Sequence, residues 1–260
     1  MANVIFSYIS RLVNSTLGYL RGLVLLFCLS LPSILFADQW VNTEYNTTEG
    51  NEFWVTTMKN AGAAEGDGNV VVYLYATSRQ ATYINIVAYN SVWDTIIKIP
   101  AGGQNGLSIP LEYVYTDENN NTDDELGVSN YLHITDPQEK SIHIYTCDAS
   151  GNPIPSAKVS LYLTNYHMSG CYDASNILPT EALEREYMVQ TYTNDEECTE
   201  FVIVATEDNQ KFTINYRVNN GKKVMAQGNK TFTCNKGQTR LIRAHQYNYS
   251  LSGTTICSDT

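Results

Sequence analysis

YLYATSRQATYINI, Tyr73 to Ile86, lines up with FVIVATEDNQKFTI, Phe201 to Ile214, once one residue is dropped from the turn, which sets Ala76-Thr77 against Ala205-Thr206. Each copy is two runs rich in Val, Ile, Tyr, Phe and Thr around a polar turn, the pattern of strand, turn and strand. The copying extends both ways. FWVTTMKN at Phe53 to Asn60 matches YMVQTYTN at Tyr187 to Asn194, an offset of 134. Gly103-Gln104 before Leu107-Ser108-Ile109 matches Gly237-Gln238 before Arg240-Leu241-Ile242, with the Gly-Gln pair at the same offset. Three blocks in one order predict an internal repeat.

Around these blocks lie further short strands: Val70 to Ala76, Tyr83 to Ala88, Thr95 to Ile99, Ser141 to Thr146, Lys158 to Thr164, Tyr187 to Tyr192, Phe201 to Ala205, Lys211 to Arg217 and Arg240 to Ala244. Such spacing is the mark of β-sandwiches. Ala101-Gly102-Gly103 and Asn219-Asn220-Gly221 supply residues that tolerate positive φ in tight turns. Only Pro179 to Arg185 reads as helical, for one or two turns. The expectation is an all-β chain of two related β-sandwich units in tandem. Residues 38–147 form the first, 148–186 a linking segment with the short helix, and 187–260 the second. In the first unit the block Leu132-His133-Ile134-Thr135-Asp136 precedes the strand Ser141 to Tyr145, whereas Thr254 to Asp259, aligned with that block, has nothing after it. The second unit is therefore expected to lack its last strand and to leave an exposed edge. A fragment of a longer protein, an edge covered by the linking segment, and pairing with another chain all remain open.

The first 37 residues read as a secretory leader. GLVLLFCLSLPSILFA, Gly22 to Ala37, carries no charge, follows Arg11 and Arg21, and precedes the polar Asp38-Gln39. It is shorter than the roughly 20 apolar residues of a spanning helix, and Pro32 interrupts it. Cleavage is placed after Ala37, and no later run is long enough to cross a membrane. The net charge of −11 becomes −13 when Arg11 and Arg21 leave, which argues against nucleic acid as a partner. Only 17% of residues are charged, and 19 Tyr against 7 Phe fit a β-rich, polar-aromatic chain. Asn-x-Ser/Thr triplets at Asn46, Asn120, Asn229 and Asn248 would be glycan acceptors in a eukaryotic host.

Five cysteines follow the leader, Cys147, Cys171, Cys198, Cys234 and Cys257, without the close spacing of a zinc ribbon. Outside the cell they are disulfide candidates, and an odd count leaves one thiol over. The pairings favoured are Cys147 with Cys171, and Cys234 with either Cys198 or Cys257.

Motifs for catalysis are thin: no Gly-x-Ser-x-Gly, no His-Glu-x-x-His, no phosphate loop. His133 and His143 fall on successive strands, where solvent-facing side chains are favoured over a metal pair. His167 and Cys171 read as a surface His beside a disulfide rather than as base and nucleophile. In DENNNTDDE, the oxygen donors Asp117, Asn119, Asn121, Asp123 and Glu125 alternate much as in a calcium loop, but Thr122 and Val128 break that template where Gly and Glu belong. A solvated acidic loop is favoured over a weak Ca²⁺ site, and no other cofactor is expected. Trp54 and Trp93 read as core, while Trp40, Tyr113 and Tyr115 are the candidates for a ligand surface.

The order Gly50-x-Glu52-Phe53-Trp54, then Ala101-Gly102-Gly103, Leu178-Pro179 with Leu183 and Glu186-Tyr187, Val204 to Asn209, Gly237-Gln238, and Leu251-Ser252-Gly253-Thr254 resembles the N-terminal domain of IgG Fc-binding proteins, from about Gly50 to the C-terminus. VATEDNQKFTI is its most specific piece. Arg185 departs from a Gly usual in that family, Cys147 to Pro155 looks like an insertion, and the domain ends early. The resemblance implies an exported, β-rich, repeat-built chain that acts in binding or adhesion, not catalysis, and it supplies no motif of contact residues. The functional expectation is a secreted, extracellular or cell-surface binding module for a protein or glycoprotein. An extracellular structural subunit that self-associates by strand addition at its C-terminal edge is the alternative. An exported hydrolase has only scattered His and carboxylates to support it.

Overall fold

The computed structural model of the chain describes residues 48–58, 70–117, 131–167, 171–193 and 198–260, and residues 47–260 form one compact unit. The predicted leader lies outside the described residues. The structure is all-β, as the alternating runs predict. One sheet holds β1 (Glu49–Gly50), β4 (Val70–Ser78), β7 (Gly103–Ile109), β11 (Val159–His167) and β12 (Cys171–Ile177), in the order β1-β11-β4-β7, with β12 also paired to β11. A second holds β2 (Glu52–Val55), β5 (Thr82–Ala88), β6 (Asp94–Ile99) and β10 (Ile142–Cys147), in the order β2-β10-β5-β6. β4, VVVYLYATS, shows why these segments are strands: Val70, Val72, Leu74 and Ala76 are buried while the residues between them are not. Val72, Leu74 and Ala76 join Phe53, Ile84, Ile86, Ile142, Ile144, Val159, Leu161 and Leu163 in one apolar core. Each fully buried Leu or Ile contributes about 1.5–3 kcal/mol.

A third sheet is β13 (Glu186–Met188), β18 (Thr255–Ser258), β15 (Gln210–Asn219) and β16 (Val224–Cys234), in that order. It shares a second core with a three-stranded sheet of β14 (Glu200–Val204), β17 (Thr239–Ala244) and β9 (Leu132–Ile134). A short parallel pair, β3 (Thr57–Met58) with β8 (Tyr115–Thr116), follows β2 and the one-turn helix α1 (Leu111–Val114). The predicted helix at Pro179 is a single 3-10 turn, Thr180–Ala182.

Two of the sheets share a pairing pattern. Phe53, Ile144 and Ile86 lie side by side across β2, β10 and β5, and Tyr187, Ile256 and Ile214 do so across β13, β18 and β15. Thr255–Ser258 thus occupies, beside β15, the place that β10 holds beside β5. The block Thr254 to Asp259, aligned in sequence with Leu132 to Asp136, thus pairs in the manner of the strand that follows that block. What differs is the facing sheet: β4 has β7 on one side and β11 on the other, whereas β14 pairs β17 and, among the described residues, no second strand, although β3 lies close to it. Residues 148–186, read from sequence as linking, carry β11 and β12 and so complete the first sheet. β9 pairs β17, away from the strands that precede and follow it.

Two glycines fix close approaches. A Cβ on Gly106 would run into the Leu74 carbonyl oxygen and the Tyr73 ring, so β7 lies against β4 only as glycine. Gly237 has φ +81, and a Cβ there would strike the Tyr89 ring. Beside it the buried Ser141 hydroxyl donates to the Gly237 carbonyl at 2.6 Å, and the Tyr89 N–H donates to the Ser141 carbonyl at 2.9 Å. This turn docks the strands of the second core onto those of the first. On the outer face of β10, His143 stacks on Trp54 at 4.4 Å between centroids, and its Nε2 lies 2.9 Å from Glu52 Oε1. Lys236 reaches the same carboxylate at 3.5 Å and sits 5.6 Å from the Trp54 ring centre.

Gly237→Ala is expected to lower unfolding free energy by at least about 1–2 kcal/mol, the cost of a left-handed non-glycine residue, read from urea titration. His143 supplies a pH signature: burial above all holds it below its usual 6.5, outweighing the pull of Glu52, with Lys236 adding to the lowering. The unfolded chain then takes up this proton first as pH falls. Stability is expected to drop on acidification below about 6.5, and His143→Gln to flatten that part of the profile measured by urea midpoints between pH 7 and 5.

Candidate functional site

The cavity that matters lies at the open flank of the second core. It has a volume of about 620 Å³ and is lined from one sheet by Phe201, Val202, Ile203 and Val204 of β14 and from the other by Tyr187, Phe212 and Ile256. Its apolar lining follows from register. Phe201 and Ile203 point inward from β14 as Leu74 and Ala76 do from β4, and Tyr187 stands where Phe53 stands in the other sheet. Yet Phe53 is 0% exposed and Tyr187 41%. The loop before β13 closes one end: Glu184 N–H donates to the Tyr187 hydroxyl at 2.7 Å, and Leu183 is exposed. At the same end Ser258 N–H donates to the Arg185 carbonyl at 2.7 Å, Gln210 Oε1 accepts from Thr206 N–H, and its Nε2 donates to Ser258 Oγ, the last two at 2.8 Å, which fixes the turn that carries Glu207. The result is an aromatic and aliphatic floor with Glu184, Arg185 and Glu207 at the rim. Such a surface offers contact area to a polypeptide more readily than to a small ion.

The candidates read from sequence fall elsewhere. Trp40 lies outside the described residues. Tyr113 and Tyr115 are half-buried. The turn of α1 folds them onto the first core, where Tyr113 stacks on Trp93 at 5.5 Å and the Tyr115 hydroxyl donates to Asn165 Oδ1 at 3.1 Å. Trp54 and Trp93 are half-buried, Trp93 against the first core and Trp54 under His143. Of the acidic loop, Asn119, Asn121, Asp123 and Glu125 lie outside the described residues. Asp117 exchanges backbone hydrogen bonds with the Gln138 amide, at 3.3 Å and 2.6 Å. Among the described residues no three His, Cys, Asp or Glu side chains gather as a metal site. His133 and His143 stand in different sheets, opposite Arg243 and Trp54.

The favoured disulfides are not formed, and the fold gives the reason. Cys147 bridges to Pro153 near the start of β11, while Cys171 pairs with His167 at its far end, a strand length of about 25 Å. Cys234 lies opposite the inward-facing Gln210 and Cys257 opposite Thr213, which faces the other side of the same sheet. Their side chains point apart. Cys198 precedes β14 at the end where the Thr199 carbonyl accepts from Ala244 N–H, and Cys234 lies by the opposite end, about 20 Å away. Cys147, Cys234 and Cys257 carry free thiols, and burial raises the first two above the usual thiol range.

The groove was missed because its residues are core positions by pattern, and only the comparison of Tyr187 with Phe53 could have marked them as uncovered. No curated protein and no solved structure matches the chain. The family model described as IgGFc binding protein matches residues 173–260, so that the C-terminal part of the chain, from β12 to β18 and including every residue that lines the groove, is similar to that family.

Proposed function

We propose that the chain is a secreted, non-enzymatic binding module that holds a protein or glycoprotein ligand outside the cell, in adhesion or recognition. The observation that carries this reading is the apolar groove of β13, β14, β15 and β18, which falls wholly within the stretch similar to the IgGFc binding family. The leader of Gly22 to Ala37 supports export, and the rim of Glu184, Arg185 and Glu207 around an aromatic floor suits a polypeptide surface.

Two measurements test it. Expressed with its leader in an exporting host, the protein is expected in the medium with an intact mass that begins at Asp38; retention in the cell with an uncleaved leader would remove the secreted assignment. The purified full-length product, passed over immobilised immunoglobulin Fc and mucus glycoprotein, is expected to bind one of them saturably. Leu183→Asp, at an exposed groove position, should weaken that binding about tenfold, equivalent to the 1–2 kcal/mol of one buried apolar contact, without altering the circular dichroism. Binding to neither surface, or binding that ignores Leu183→Asp, would overturn the reading.

A further inference from the structure

Among the described residues the two facing pairs of sheets differ by one strand, and the flank without it is the groove. The sheets β2-β10-β5-β6 and β13-β18-β15-β16 share order and register. Opposite the first, β11 lies beside β4 along eight residue pairs, Ser160↔Thr77 to His167↔Val70. It sends Val159, Leu161 and Leu163 into the core that buries Phe53 and Val55. Opposite the second, the corresponding flank of β14 is the groove, and of the residues at the place of β11, Tyr187 is exposed while Val189 and Phe201 are half-buried.

The backbone of β14 is oriented to receive a strand. Ala244 N–H donates to the Thr199 carbonyl, and Ala205 N–H to the Gln238 carbonyl, each at 2.9 Å, so the odd-numbered residues of this stretch face β17. By the alternation of an antiparallel ladder, Val202 and Val204 turn their N–H and C=O groups to the other side, where both residues line the groove. Edge groups with no backbone partner among the described residues, beside an apolar trough, are the two components of strand addition: main-chain bonds give affinity and side-chain pockets give selectivity.

We propose that the β14 edge binds an extended segment of another polypeptide, antiparallel to β14, with aliphatic side chains at alternate positions in the manner of Val159-x-Leu161-x-Leu163. A second copy of this chain is a poorer donor, because its β11 is already paired to β4 on one side and to β1 and β12 on the other. The chain carries −11 overall, and at the rim Glu184 and Glu207 outnumber Arg185, so the segment is neutral or basic. This inference rests on reading residues 180–260 as a binding module and names what that module recognises.

The probe is a labelled synthetic peptide, KVSLYLTN, the sequence of residues 158–165, titrated into the full chain by fluorescence anisotropy. Saturable binding is expected, together with slowed hydrogen exchange at the Val202 and Val204 amides, a readout that needs no substitution. The same peptide with Asp in place of both leucines should not bind. Val202→Pro removes one edge N–H without touching the β14–β17 ladder and should weaken binding about tenfold at unchanged melting temperature. Peptide binding with no protection of those amides would overturn strand addition. So would failure of the peptide while a glycoprotein still binds in a Leu183-dependent way, an outcome that leaves the binding module standing. Failure of both ligands would remove both readings. A dimer that resists dilution and already protects the two amides would replace the separate partner with a second copy.

Discussion

A strand inside a sandwich has two edges, and each exposes N–H and C=O groups that must find partners or remain in water. In the first core that requirement is met from a distance. β11, more than eighty residues beyond β4 in sequence, lies along it and is itself flanked by β1 and β12. Its alternating Val159, Leu161 and Leu163 then close the space above Phe53 and Val55, so hydrogen bonding and burial are satisfied by one segment. The second core has a four-stranded sheet of the same order without that cover among the described residues, and its groove follows from the difference. The docking of the two cores depends on smaller contacts: the Ser141 hydroxyl on the Gly237 carbonyl, and the Thr116 hydroxyl on Thr239 at 2.9 Å, in a place where both faces of β17 are buried.

Much of this was legible in the sequence. Runs such as VVVYLYATS and TYINIVA declare strands by alternation alone, and both glycine turns adopt the positive φ assigned to them, Gly102 at +62 and Gly221 at +77. The aligned blocks correspond to rows of paired residues. Strands that went unread have a physical excuse. β7, GQNGLSI, is polar and glycine-bearing because Gly106 must approach β4; β16 is an edge strand exposed along much of its length; and CYDASNI of β12 carries little apolar patterning.

The functional residues were harder to see. Tyr113 and Tyr115, read as surface candidates among the many tyrosines, pack half-buried against the first core around α1. Phe201, Ile203 and Tyr187 looked like core because hydrophobic alternation reports which face of a strand a residue occupies, not whether anything lies opposite. Cysteine spacing failed for a related reason. Separation along the chain says nothing of which face of a sheet a thiol takes, and Cys234 and Cys257 take opposite ones.

β9 gives the chain an order of assembly. Leu132 to Ile134 are made early, between strands of the first core, yet their hydrogen-bonding partner is β17, more than a hundred residues later. Until β17 emerges, an apolar tripeptide with Leu132 and Ile134 destined for burial has to wait beside a nearly finished neighbour. Non-local closures of this kind slow folding, because loop entropy is lost before contacts repay it. For this chain the two cores are therefore coupled in biosynthesis: the second cannot finish without a strand delivered from within the sequence of the first.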